Sequence, residues 1–237
     1  MFFRYIIYLE FPKSLLDIGR EYASGKAKTE DSDARAIYSK AGEFLRQLHE
    51  SETCDYTQND LDDLINYIRE RLLNRIFTKK EEAELSHYLT QVRADIKGRF
   101  GQYRKNSVHS DFGPGNILSH GKDINVLDFG DYRLDHGFYD IAYFKMMLER
   151  QLENPIRYKK AARDELLRAF GKGYGIDFRT NSEDNLYKLF QLKIMAIFIK
   201  ALTWKEWHGT SLFSFKNRIS NFLEYNKIKR EILLRVR

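Results

Sequence analysis

Apolar residues recur along most of this chain at helical spacing and switch to a short, strand-like texture only near its middle. After Ser32, a candidate N-cap, the positions Ile37, Ala41, Leu45 and Leu48 mark one helical face. Leu61, Leu64, Ile65, Ile68 and Leu72 predict a second helix, with Asn59 as its candidate cap. Leu85, Leu89, Val92 and Ile96 predict a third that stops at Gly98. Asn154-Pro155 reads as a helix start with proline at the first helical position. Ser182 is the expected cap of a long helix reaching about Trp207, apolar around most of its circumference and therefore central. The basic stretch from Phe213 onward is also patterned as helix. Gly171-Lys-Gly-Tyr-Gly175 follows a helix rather than a strand, so it is read as a helix stop and not as a phosphate loop.

Strand-like pieces are few. Residues 5–11 are rich in β-branched and aromatic side chains and are closed by Pro12, which predicts one short strand. Residues 107–111, 116–119 and 124–129 form further short pieces separated by glycine turns. No internal repeat and no linker between two cores is visible. The expected fold class is mostly α with a small β insert (α+β), in a single domain over residues 1–237.

Composition narrows the class. A chain of 237 residues with 43% hydrophobic content has material for a packed core. The single cysteine, Cys54, excludes an internal disulfide framework and a cysteine-based zinc site, and fits a reducing cytoplasm. The longest oily run, from Ile194 to Ile199, is flanked by Lys193 and Lys200 and is too short to span a bilayer, so no membrane is expected as a partner. The formal charge of +6 is uneven: residues 1–150 carry 22 basic and 25 acidic side chains, residues 151–237 carry 18 and 9. These basic residues are scattered at helical spacing without a nucleic-acid motif. They read as solvated helix faces, and by that reading nucleic acid is not expected as a partner.

Candidate chemistry sits in the β insert. Val108-His109-Ser-Asp111-Phe-Gly-Pro-Gly-Asn116-Ile-Leu118 is followed by Ile124-Asn-Val-Leu-Asp128-Phe-Gly-Asp131. A hairpin through the Ser119-His-Gly-Lys-Asp123 turn would bring Asp111, Asn116 and Asp128 together. An amide oxygen and a carboxylate are hard ligands suited to Mg²⁺ carrying substrate phosphates. Asp111, a few residues before the amide, has the chemistry to accept a proton from an attacking hydroxyl.

His109-Ser-Asp111, Asn116-Ile-Leu118, Asp128-Phe-Gly-Asp131 and Tyr139-Asp-Ile-Ala142 resemble the aminoglycoside phosphotransferase and choline kinase-like small-molecule kinases. In that family the loop reads His-Gly-Asp-x-x-x-x-Asn-Ile-Leu, and the metal aspartate is followed by Phe-Gly-Asp. Ala41-Gly-Glu-Phe-Leu-Arg-Gln-Leu-His49 resembles the family helix that ends in Leu-His. The resemblance implies the C-terminal lobe of a protein kinase-like fold, with residues 1–12 as a hinge strand, residues 13–237 as a helical lobe, and the N-terminal lobe largely absent. It implies ATP and Mg²⁺ as cofactors and a small-molecule hydroxyl as acceptor. Asp111 would be the catalytic base, His109 would brace the loop, and Asn116 and Asp128 would hold the metal. Asp140 would support the loop through bonds to its backbone, and Glu10 and Phe11 would meet the nucleotide at the hinge. His49 is expected to make hydrogen bonds at a helix end rather than to ligate a metal. The family's C-terminal helices form the acceptor pocket, and the net basic character here argues for a neutral or anionic acceptor. A face left by an absent lobe is an expected route to self-association. The alternative expectation is a catalytically impaired module that binds a ligand or a protein.

Overall fold

The computed structural model describes residues 13–26, 34–73, 77–120, 123–206 and 213–236. The expected hinge strand at residues 5–11, with Glu10 and Phe11, lies outside the described residues, as do Ser32 and Trp207. Two compact units form, one from Met1–Cys54 with Lys105–Asn181, the other from Asp55–Arg104 with Ser182–Arg237.

The first unit opens with β1 (Lys13–Ser14) and α1 (Leu15–Ser24), neither of which the apolar pattern singles out. The signal was local. Ser14 Oγ accepts from the Asp17 N–H at 3.1 Å, and Leu15, Ile18 and Ala23 turn one buried face inward. Next comes α2 (Ala34–Ser51). Its buried stripe is Ala34, Tyr38, Ala41, Gly42, Leu45 and His49, rotated from the expected one, because Ile37 and Leu48 are only half-buried.

The chain passes from one unit to the other within β2 (Thr53–Asp55), within β3 (Arg104–Val108) and between Asn181 and Ser182. Within the first unit follow β4 (Ile117–His120), β5 (Asp123–Val126), β6 (Arg133–Asp135), α5 (Phe138–Gln151), α6 (Lys160–Tyr174) and α7 (Phe178–Asn181), while the second unit contains α3 (Gln58–Leu72), α4 (Lys79–Lys97), α8 (Asn185–Glu206) and α9 (Phe213–Val236). Among the described residues the strands form two three-stranded sheets, ordered β1-β4-β5 and β2-β3-β6. The expected hairpin is β4–β5, antiparallel, with Ile117 opposite Val126 and Ser119 opposite Ile124.

Glycines let α2 and α6 meet backbone to backbone. A Cβ on Gly42 would collide with the Phe170 carbonyl and lie 2.7 Å from the Tyr174 nitrogen, and one on Gly173 would collide with the Ser39 carbonyl. Gly175, at φ +90°, closes α6 by donating its N–H to the Gly171 carbonyl, so the glycine run is the helix stop that its position predicts, and the helix contact at Gly173 is an addition to it. Beneath the β insert, Phe112, Phe144 and Phe170 are fully buried, with Phe144 and Phe170 stacked at 3.9 Å. Each such ring contributes about 2–3 kcal/mol of burial, and Phe112 directly follows Asp111, so the core anchors the loop at that point.

In the second unit α8 packs against α3, α4 and α9. Leu186, Leu189, Phe190, Leu192, Ile194 and Met195 are all buried, which makes α8 the central helix that its apolar circumference predicts. Three expected caps move. Thr57, not Asn59, caps α3 through a reciprocal box with Asp60, because its hydroxyl lies three residues before a carboxylate. Asp184, not Ser182, caps α8, accepting the N–H groups of Leu186 and Tyr187. Asn154-Pro155 starts no helix: Asn154 Oδ1 accepts the Ile156 N–H at 3.0 Å in a side-chain turn, and α6 begins at Lys160. Among the described residues no helix is long and apolar enough to cross a membrane.

Candidate active site

The site grows from the point where β3 stops. The strand-like run expected over 107–111 ends at Val108, because Asp140 captures the next two backbone N–H groups. His109 N donates to Asp140 Oδ2 at 2.7 Å and Ser110 N donates to Oδ1 at 2.8 Å. The chain turns through Ser110 at φ +73°, a left-handed conformation that costs a non-glycine residue about 1–2 kcal/mol. Asp140 sits in the first turn of α5, where the helix dipole favours a negative charge, and is fully buried. It also accepts from His49 Nε2 at 3.1 Å, and His49 Nδ1 in turn meets the Tyr174 hydroxyl at 2.7 Å. Gly137 makes room for that imidazole, since a Cβ there would lie 2.5 Å from Nδ1. The backbone-bracing role expected of Asp140 and the helix-end bonding expected of His49 are therefore one relay: Tyr174, His49, Asp140, loop.

His109 is buried and ties two segments together. Its Nε2 lies 2.8 Å from the Leu127 carbonyl, and its Nδ1 accepts the Asp111 N–H at 3.3 Å, a pattern that places the ring proton on Nε2. One side chain thus links the loop carrying Asp111 to the residue before Asp128. The ring also packs against Phe112 and Phe129.

Asp111 is half-buried. Asn116 Nδ2 donates to Asp111 Oδ2 at 2.8 Å and to the Asp111 carbonyl at 2.9 Å. Burial, reinforced by the neighbouring Asp111 carboxylate, pushes the Tyr143 phenol well above its usual range. Asn116 closes a single 3₁₀ turn, Pro114–Asn116, and its carbonyl accepts the Leu127 N–H at 2.9 Å. That bond extends the β4–β5 register by one step and places Asp128 next beyond it. The strand expected over 124–129 ends at Val126, and Asp128 is left-handed at φ +63°, a conformation aspartate tolerates better than most residues. Its side chain is exposed, as are Leu127 and Phe129 on either side.

Asp111 and Asn116 are thus in direct contact, Asp128 lies at the same hairpin end, and His109 bridges the two segments. Two participants escape the sequence reading. Tyr174 lies 125 residues from its partner His49, and only the helix packing brings them together. Tyr143 carried a weak signal, standing three residues after Asp140 on the same helical face.

Solved structures share this fold. Glucosamine kinase (crystal form B) superposes with a TM-score of 0.58 at 17% identity, covering 94% of this chain and 60% of that one. Glucosamine kinase in complex with glucosamine, ADP and inorganic phosphate gives 0.55 at 17% identity over 80% of this chain and 53% of the other. A choline/ethanolamine kinase family protein from Mesorhizobium loti gives 0.53 at 15% identity, covering 97% and 71%. The chain therefore spans little more than half the length of the glucosamine kinases it resembles. A sequence comparison with curated proteins finds no match. The family model described as "Phosphotransferase enzyme family" (APH) matches residues 16–182, a span holding the histidine–aspartate loop, the β4–β5 hairpin and the Asp140 relay. With most of its length inside that match, the chain belongs to the phosphotransferase enzyme family.

Proposed function

We propose that this protein transfers the γ-phosphate of ATP to a hydroxyl group of a small molecule, with Asp111 as the catalytic base. The observation that carries the reading is the Asn116–Asp111 contact at 2.8 Å at the end of the hairpin that also bears Asp128. Phosphoryl transfer asks little covalent chemistry of a protein and much alignment and charge neutralisation. Asp111 is held by the Asn116 amide, which leaves lone pairs on its carboxylate for the acceptor hydroxyl. The acceptor oxygen attacks the γ-phosphorus and its proton passes to Asp111. The new O–P bond forms as the bond to the β,γ-bridging oxygen breaks, and ADP leaves.

The donor set fits Mg²⁺. Asn116 commits its amide nitrogen to Asp111, so its oxygen is the atom left for a cation, and the exposed Asp128 supplies one carboxylate. Mg²⁺ asks for one or two such protein groups and takes its other ligands from water and phosphate. Bound there, it would neutralise charge on the nucleotide phosphates. His109 would keep the two segments in register while that charge is present.

The net basic character of residues 151–237 supports a neutral or anionic acceptor, such as a sugar or a phosphorylated metabolite. The test is acceptor-dependent ADP release from Mg-ATP across amino sugars, choline-like alcohols, neutral sugars and sugar phosphates. Wild-type protein is expected to turn over at least one of them, and Asp111→Asn to lose roughly 10²-fold or more of that rate. An Asp111→Asn rate equal to wild type would overturn the proposal. So would an absence of acceptor-dependent turnover across the panel, which would favour a binding module.

A further inference from the structure

We infer that Tyr132 is a positioning residue for the candidate metal carboxylate, its hydroxyl tethering the turn that follows Asp128 to strand β3 through Ser107. This rests on the reading of Asp128 as a ligand of the cation.

Every residue from Leu127 to Tyr132 is exposed, so no buried side chain anchors the stretch that presents Asp128. The loop carrying Asp111 differs, because the adjacent Phe112 is fully buried. Contacts at its two ends therefore set where Asp128 stands. Upstream, the Leu127 carbonyl lies 2.8 Å from His109 Nε2, the Leu127 N–H reaches the Asn116 carbonyl at 2.9 Å, and the His109 ring packs on Phe129. Downstream, the Tyr132 N–H closes a turn on the Phe129 carbonyl at 3.2 Å, and the Tyr132 hydroxyl donates to Ser107 Oγ at 2.6 Å. Ser107 is fully buried in β3, where it stands opposite Leu134. Tyr132, two residues before Leu134, is its diagonal neighbour, a spacing that an aromatic side chain spans. The Asp128 carboxylate lies over this same turn: a Cβ on Gly130 would sit 3.4 Å from Asp128 Oδ1.

A cation shared by one amide and one carboxylate needs their oxygens at a fixed separation. Asn116 is set by its own 3₁₀ turn and by its bonds to Asp111. Asp128 instead stands in a left-handed conformation, which an L-residue leaves when the chain around it slackens. Two tethers oppose that, His109 before Asp128 and Tyr132 after it. Neither group belongs to the proposed metal set, and removing the phenol's oxygen leaves both proposed ligands and the His109 bridge in place. Groups that orient a metal ligand directly set affinity by about 10–100-fold, and a tether that acts through the backbone should set it by less.

The experiment titrates Mn-ATP, read by electron paramagnetic resonance, into wild type, Tyr132→Phe, Ser107→Ala, the double variant and Asp128→Asn. Tyr132→Phe keeps the exposed ring and deletes only the donor, and its melting temperature is expected to stay within about 4 °C of wild type. Each single variant of the pair is expected to bind Mn-ATP about fivefold more weakly. The double variant is expected to lose no more than either single one, since both break the same bond. Amide exchange on the metal-free protein adds a readout without nucleotide: the Tyr132 N–H is expected to exchange about fivefold faster in Tyr132→Phe. Wild-type affinity in Tyr132→Phe beside a weakened Asp128→Asn would overturn the inference alone, as would a double variant whose loss is the product of the two single losses. Mn-ATP bound equally by wild type and Asp128→Asn, or by neither, would instead overturn the metal reading on which it rests.

Discussion

His49 near the end of α2 and Asp140 in the first turn of α5 stand 91 residues apart in sequence and meet at 3.1 Å, both buried. Asp140 holds the loop and His49 holds Asp140, so the carboxylate accepts three donors from the protein. Asp140→Ala removes every acceptor at once and leaves two backbone N–H groups and the Nε2 of His49 buried without their partner. Urea unfolding is expected to show a loss of about 3–5 kcal/mol. Tyr174→Phe, which strips only the outer hydroxyl from His49 Nδ1, is expected to cost about 1–2 kcal/mol. A loss below about 1 kcal/mol for Asp140→Ala would contradict the relay.

A second histidine beside this relay sets a pH dependence. His136 is buried, and that burial pushes its pKa down to about 3, with Asp135 opposing the shift and His49 adding to it. The unfolded chain takes up the proton near the ordinary value of about 6.5. Between those values the unfolded state binds more protons than the folded one. Stability is therefore full above about pH 6.5 and falls as the pH drops toward 3, by up to about 1.4 kcal/mol per pH unit from this group. His136→Asn keeps a short side-chain acceptor for the Phe138 N–H, which His136 Nδ1 now accepts at 3.1 Å, and removes the titration. Urea melts from pH 7 to 4.5 are expected to show a shallower decline in the variant. Equal slopes in the two proteins would contradict the assignment.

Much of the site was legible because its signals are local. The turn between two short apolar runs gave the hairpin, and the hairpin fixes which side of it Asn116 and Asp128 occupy. The circumference of α8 announced a central helix, and Gly175 announced a stop. What the sequence concealed depends on tertiary packing. The strand end after Val126 is hidden because the apolar texture runs on through Leu127 into Asp128, and the one after Val108 because no proline or glycine marks a stop before Asp111. The strands stop where Ser110 and Asp128 turn left-handed, and Ser110 is held there by a carboxylate from α5. The caps went wrong for a simpler reason. Several acceptable residues lie near each helix start, and the one whose oxygen reaches an N–H two or three residues on is selected by backbone geometry.

Ser110 occupies the place that family members give to glycine, and the structure shows the consequence. Its φ of +73° is strained for a residue with a Cβ, and its buried hydroxyl has no hydrogen-bond partner among the described residues. Ser110→Gly relieves both terms, offset in part by the added freedom of glycine in the unfolded chain. The expected net gain is about 1 kcal/mol in urea unfolding. Ser110→Val, which puts a β-branched side chain at the same φ, is expected to lose about 2 kcal/mol or more. A destabilised Ser110→Gly protein would show that the serine contributes a contact the geometry does not reveal.

Everything functional in this account depends on the hairpin end being a place where a divalent ion meets nucleotide phosphates. Mn²⁺ substitutes for Mg²⁺ and reports its own immobilisation by electron paramagnetic resonance, so titrating Mn-ATP into wild type and Asp128→Asn examines that place without any acceptor. Wild type is expected to immobilise Mn-ATP, and Asp128→Asn to bind it at least tenfold more weakly, since one of the two proposed protein ligands loses its charge. Equal immobilisation by both proteins would contradict the account.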